Sequence, residues 1–244
     1  MNALLKRMGT LETAPPWGMG AVILTFVGAF AAIIVGTFFG FAVFGEEVGY
    51  GLLAGWTISM GLTVALVLQT RRRDHEWLKL EPPITPLPLI LFVAFGFAVA
   101  VDLIGLAVTR DTGLVLTAPE LSNFGVMGVA DWLFAVVFMV IAQPIAEELV
   151  FRGVALPALR GLLGAWAGLV VTALVYALFH LLAYPANPTY APVVGFWVGL
   201  IQPFLAGIVI GAVRASTGST RAAIIAHAAF GLFAVLKLVL LASG

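Results

Sequence analysis

Two adjacent carboxylates and an arginine interrupt a membrane-length apolar run, in the stretch Gln143-Pro144-Ile145-Ala146-Glu147-Glu148-Leu149-Val150-Phe151-Arg152-Gly153. A charge near the centre of a membrane helix costs roughly 2.5 to 3.5 kcal/mol on insertion scales, so such groups persist where they pair with each other or line a wet cavity. Spacing separates the two carboxylates. On a helix Glu148 and Arg152 are four residues apart, share a face and can form an ion pair. Glu147 points about 100° away, and its neighbour one turn on is the apolar Phe151. One carboxylate is therefore expected to be neutralised by Arg152 and the other left free for chemistry. Pro144 removes a backbone donor just before the pair and can kink the helix, opening room for water beside Glu147. A single buried ion pair would need no role beyond fixing helix packing. The second, uncompensated Glu favours a functional site.

Of 244 residues, 62% are hydrophobic and 10% charged, a balance outside the range of soluble domains. The fold class is an all-α, polytopic transmembrane helical bundle of about seven to eight spans. The chain has no cysteine, which excludes disulfides, a thiolate nucleophile and cysteine-ligated metal. Its net charge is zero, so no global field points to nucleic acid. Met1 to Trp17 form a short polar leader with Lys6 and Arg7, and the apolar run behind it is too long for a signal-peptide core. It is expected to be a retained first span.

Seven apolar segments are long enough to cross a bilayer, at about 18–44, 49–69, 87–109, 130–150, 163–183, 193–214 and 222–242. The fourth can run past Arg152 as far as Pro157. Gly45-Glu46-Glu47 makes a short acidic link, and Arg71-Arg72-Arg73-Asp74-His75-Glu76 opens a charged loop closed by Pro82-Pro83. A polar segment from Arg110 to Asp131 has room for a surface helix, and Tyr184-Pro185-Ala186-Asn187-Pro188 reads as an uncharged turn. Cationic loops stay in the cytoplasm. With the N-terminus inside, Lys6, Arg7, Arg71, Arg72, Arg73, Lys79, Arg160, Arg214 and Arg221 share that side, and Arg110 and Lys237 fall near the other. The expected protein is integral to the cell membrane, with a cytoplasmic N-terminus and, for seven spans, an external C-terminus.

Two of the three histidines, His180 and His227, fall inside spans, while His75 lies in the charged loop. If spans four and five form a hairpin turning near Gly161–Gly164, Glu148 and His180 lie at similar depth on neighbouring helices. His227 fits less well, being only a few residues into its span from Arg221. Two mechanisms stay open on these residues. Glu147 can act as general base on a water while histidines assist and stabilise an oxyanion. Alternatively the His and Glu side chains can hold zinc, although no HExxH pair is present. Gly195, Gly199, Gly207 and Gly211 have the spacing of close helix contacts. Asp102, inside span three, is expected either at the outer interface or against a helix partner.

Glu147-Glu148-x-x-x-Arg152 resembles the first motif of the CPBP proteins, the type II CAAX prenyl endopeptidase or Abi family. Tyr176-x-x-x-His180 is similar to that family's Phe-x-x-x-His motif. Phe204-x-x-Gly207-x-x-x-Gly211, Thr217-Gly218-Ser219 and Ala226-His227 are similar to its last region. The resemblance covers about 130–240 and divides the chain into an N-terminal transmembrane region, 1–129, and a CPBP-like core, 130–244. It implies an intramembrane endopeptidase acting on a membrane-associated peptide or protein, prenylated substrates included. Glu147 and His180 would activate water, His227 would help hold the oxyanion, and Glu148 with Arg152 would complete the site. No cofactor is implied, with Zn2+ as the alternative. The family often carries Asn four residues after the last His, and here that position is Gly231, which has no side-chain donor. Two other classes compete: a non-catalytic membrane scaffold or bacteriocin-immunity protein, and a proton-coupled transporter. Against the last, the chain shows no internal repeat.

Overall fold

The computed structural model describes residues 3–45, 49–110, 128–184 and 191–242. Among them all regular structure is helical: a short α1 (Ala3–Gly9), then α2 (Met19–Phe44), α3 (Gly49–Thr70), α4 (Leu87–Thr109), α5 (Val129–Leu163), α6 (Ala165–Ala183), α7 (Pro192–Thr217) and α8 (Thr220–Ala242). α2 to α8 are long and apolar enough to cross a membrane, so the expected seven spans are all present as helices. The Glu46-Glu47 link, the surface helix expected after Arg110 and the turn at Pro185 to Pro188 lie outside the described residues.

α5 departs most from its expected length, running 35 residues to Leu163. Apolar content alone ends the span at the charged motif. The helix continues because Glu148 and Arg152 neutralise each other inside it, at 2.8 Å and with no exposed side-chain surface. Two widened π-helical stretches, Val137–Ala142 and Leu149–Ala155, flank the motif. The first ends just before Gln143-Pro144. Proline lacks an N–H and its ring crowds the carbonyl one turn back, and a π turn relieves both by shifting the hydrogen-bond register. α7 repeats the device: a π stretch at Trp197–Ile201 precedes Gln202-Pro203.

α5 and α6 reverse at Gly164, whose φ of 89° is a left-handed conformation that favours glycine. α6 and α7 then run antiparallel in close contact. A Cβ on Gly211 would reach 2.6 Å from Leu169, and one on Gly207 would reach 3.1 Å from Ala173. Gly195 departs from that expectation, since nothing lies within 4 Å of its Cβ position. Asp102 of α4 finds a helix partner: it pairs with Lys237 of α8.

The leader closes the basic end of the bundle, a contact between remote parts of the sequence. Arg214 Nη2 donates to Glu12 at 2.9 Å, and its Nε donates to Thr220 at 3.1 Å. Arg160 donates to the carbonyls of Met8 and Thr10. The Trp17 indole donates to Val154 O at 3.1 Å, with the Arg71 guanidinium 5.0 Å above its ring.

Candidate active site

The interior of the bundle brings all five expected residues together on three helices: Glu147, Glu148 and Arg152 from α5, His180 from α6 and His227 from α8. They form two linked pairs. In the first, His227 Nδ1 lies 2.8 Å from Glu148 Oε1, the same oxygen that accepts from Arg152 Nη1. An ionised carboxylate only accepts, so Nδ1 carries the proton and Nε2 faces the Tyr176 hydroxyl at 3.5 Å. Arg152 also donates to the carbonyl of Gly207 at 2.9 Å and lies 4.5 Å above the Tyr176 ring. One guanidinium thereby ties α5 to both α6 and α7, while Glu148 ties it to α8.

In the second pair, His180 Nε2 lies 3.6 Å from Glu147 Oε2. His180 Nδ1 lies 3.3 Å from the Tyr176 backbone carbonyl. A carbonyl only accepts, so Nδ1 is the protonated nitrogen of the neutral ring and Nε2 an acceptor. Glu147 Oε1 is held on both sides, by Gln143 Nε2 at 3.0 Å and by the Tyr184 hydroxyl at 3.3 Å. Oε2 is buried without a hydrogen-bond partner among the described residues. The free carboxylate expected from spacing is thus oriented through one oxygen and open at the other.

A cavity of about 100 Å³ meets this site. Gln143, Tyr176, His180, Tyr184, Gln202 and His227 are its polar lining, and Glu147 is not in that lining but contacts Gln143, Tyr184 and His180. Gln143 comes from α5, Tyr176 and His180 from α6 and His227 from α8. α7 contributes as well through Gln202, and α4 closes another side with Ala98 and Val101. The N-terminal region, which carries no motif, therefore takes part: Trp56 of α3 also packs edge-to-face against Tyr184 with ring centroids 5.1 Å apart.

The short distance of His227 from the start of α8 is met by a projecting α5–α6 turn, since His227 reaches Glu148 of α5. Seven residues into α8 thus reaches the same layer as fifteen residues back from Leu163. Gln143 and Tyr184 escaped notice. A Gln one turn before a Glu is a readable hydrogen-bonding pair, whereas a Tyr beside a polar turn gives no signal.

Gly231 settles against a side-chain donor at that position. A Cβ there would run directly into the backbone carbonyl of Met139, in the π stretch of α5. The glycine permits close approach of α8 to α5, so a gain from placing Asn there is not expected.

Among the described residues, no group of three or more His, Asp or Glu side chains is placed to hold a metal ion. Catalytic zinc takes three protein ligands. Glu147 and His180 face each other as a pair, and His227 lies against Glu148.

No curated protein and no solved structure matches the chain. The family model described as type II CAAX prenyl endopeptidase Rce1-like matches residues 129–233, from the start of α5 into α8 and across all five site residues. Over that stretch, which is less than half of the chain, the sequence is similar to that family of CAAX-type intramembrane proteases.

Proposed function

We propose that the protein hydrolyses a peptide bond of a membrane-associated peptide or protein, using a water activated by Glu147 and His180. The observation that carries this reading is the pair of facing acceptors, Glu147 Oε2 and His180 Nε2, 3.6 Å apart beside the cavity. One water about 2.8 Å from each atom can donate a proton to both and turn a lone pair toward the cavity. Glu147 Oε2 accepts one proton as the water attacks, while His180 Nε2 holds the second hydrogen, takes it from the hydroxyl of the tetrahedral intermediate and passes it to the leaving amine as the C–N bond breaks. Gln143 and Tyr184 keep Oε1 occupied, so that Oε2 is the basic atom.

Glu148 and Arg152 act differently. Glu148, itself fixed by Arg152, accepts the His227 Nδ1–H at 2.8 Å. His227 can then offer an N–H to substrate oxygen only as the imidazolium, which the adjacent carboxylate stabilises. The substrate runs along the cavity between α4, α7 and α8. The protein acts in the cell membrane with its N-terminus in the cytoplasm, since the leader, Arg71, Arg160 and Arg214 gather at one end of the bundle.

The test is cleavage of a peptide library in proteoliposomes, read by mass spectrometry, with wild type beside His180→Ala. Hydrolysis products that depend on His180 support the reading. A product pattern identical in both proteins removes His180 from the chemistry.

A further inference from the structure

The widened turn followed by Gln-Pro occurs twice, before Gln143 in α5 and before Gln202 in α7, and both glutamines line the same cavity. Their amides are used differently. Gln143 Nε2 is taken up by Glu147 at 3.0 Å. Gln202 buries its Oε1 without a hydrogen-bond partner among the described residues. Nε2 is then the end of that amide that the cavity can reach.

The level of Gln202 follows from helix register. Gly211 lies against Leu169 and Gly207 against Ala173, one turn further along each antiparallel helix. Carrying that register one more turn puts Pro203 opposite Ala177, and Gln202 beside the turn that bears His180. A neutral N–H donor thus stands on the α7 wall at the level where water would be activated on the α6 side. Among the described residues the other neutral donors of the cavity wall already have partners: the Tyr184 hydroxyl meets Glu147, and the Tyr176 hydroxyl faces His227 Nε2 at 3.5 Å. His227 Nδ1 is engaged by Glu148, Gln143 by Glu147, and Gly231 has no space for a side chain.

We propose that Gln202 is a further catalytic residue, donating its amide N–H to the substrate carbonyl oxygen as negative charge develops there. This rests on the hydrolytic reading above. A donor aimed at charge that exists only in the transition state raises turnover without tightening ground-state binding.

The experiment measures kcat and KM for the peptide cleaved fastest from the library, in proteoliposomes. It compares wild type with Gln202→Ala and with Gln202→Met, which keeps the length and has no donor, and uses Glu147→Gln as the inactive reference. Both Gln202 variants are expected to lose about 100-fold in kcat, the usual scale for one oxyanion donor. KM should stay within about twofold, and thermal midpoints should match wild type. Wild-type kcat in Gln202→Met overturns the proposal, as does a raised KM at unchanged kcat, which would assign Gln202 to ground-state binding. If Gln202→Ala is unstable, Gln202→Met alone decides. Wild-type turnover no greater than that of Glu147→Gln overturns the hydrolytic reading itself and takes the role of Gln202 with it.

Discussion

His227 Nδ1 and Arg152 Nη1 both lie 2.8 Å from one oxygen of Glu148. That oxygen joins α8 to α5, and Arg152 carries the connection on to α6 and α7. Glu148→Gln removes the charge that both donors need and leaves a guanidinium with no exposed surface unpaired. Breaking a buried pair from one side costs about 3–5 kcal/mol. A clear drop in thermal midpoint in detergent, together with lost activity, is expected, and differential scanning fluorimetry checks it. Glu147→Gln should leave the midpoint close to wild type.

Gly231→Ala is expected to destabilise the fold, because even one methyl meets the Met139 carbonyl. Overpacking of this kind costs about 1–3 kcal/mol. Gly231→Asn should be worse and gain no turnover. Thermal unfolding and turnover of the two variants, measured side by side, check this. A stable, faster Gly231→Asn would mean that α8 can move away from α5.

Asp102 and Lys237 pair across α4 and α8 just beyond Val101 and Ala234, which line the cavity. Either Asp102→Asn or Lys237→Gln alone should lower stability by about 1 kcal/mol or more, since both side chains are mostly enclosed. The exchanged double variant, Asp102→Lys with Lys237→Asp, should recover part of it. A double-mutant cycle of unfolding midpoints reads the coupling. Additive losses without recovery would show that the pair contributes no net attraction.

Treatment with a chelator should leave turnover unchanged, because in the proposed reaction Glu147 and His180 activate the water directly. Metal analysis of the purified protein beside chelator-treated activity checks this. Stoichiometric zinc, with activity lost to the chelator and restored by zinc, would contradict it.

Much of this was legible in the sequence, for physical reasons. Apolar length marks a span wherever charge is sparse, so α4 was located at its observed limits, while α5 ran past its apolar limit because Glu148 and Arg152 cancel within one turn. Four-residue spacing exposed that ion pair, since helix geometry alone decides it. Contacts between helices were harder. The pairing of His227 with Glu148 depends on how far the α5–α6 hairpin projects, which hydropathy does not encode. The grip of Glu12 on Arg214 joins residues far apart in the chain. Tyr184 reaches Glu147 from a stretch whose composition says only turn. The widened turns before Gln143 and Gln202 depend on which carbonyls proline displaces, and a proline in sequence shows that a helix is disturbed without showing how.

In the proposed reaction Glu147 is the base. The most direct measurement is turnover of Glu147→Gln beside wild type in proteoliposomes, with the thermal midpoints of both proteins determined on the same preparations. The amide nearly preserves shape and keeps a group for Gln143 and Tyr184 to meet, yet it cannot accept a proton at neutral pH. A loss of at least about 100-fold in turnover is expected, within the usual range for removing a positioned base, with the midpoint little changed. Wild-type turnover in a folded Glu147→Gln protein would contradict that role of Glu147.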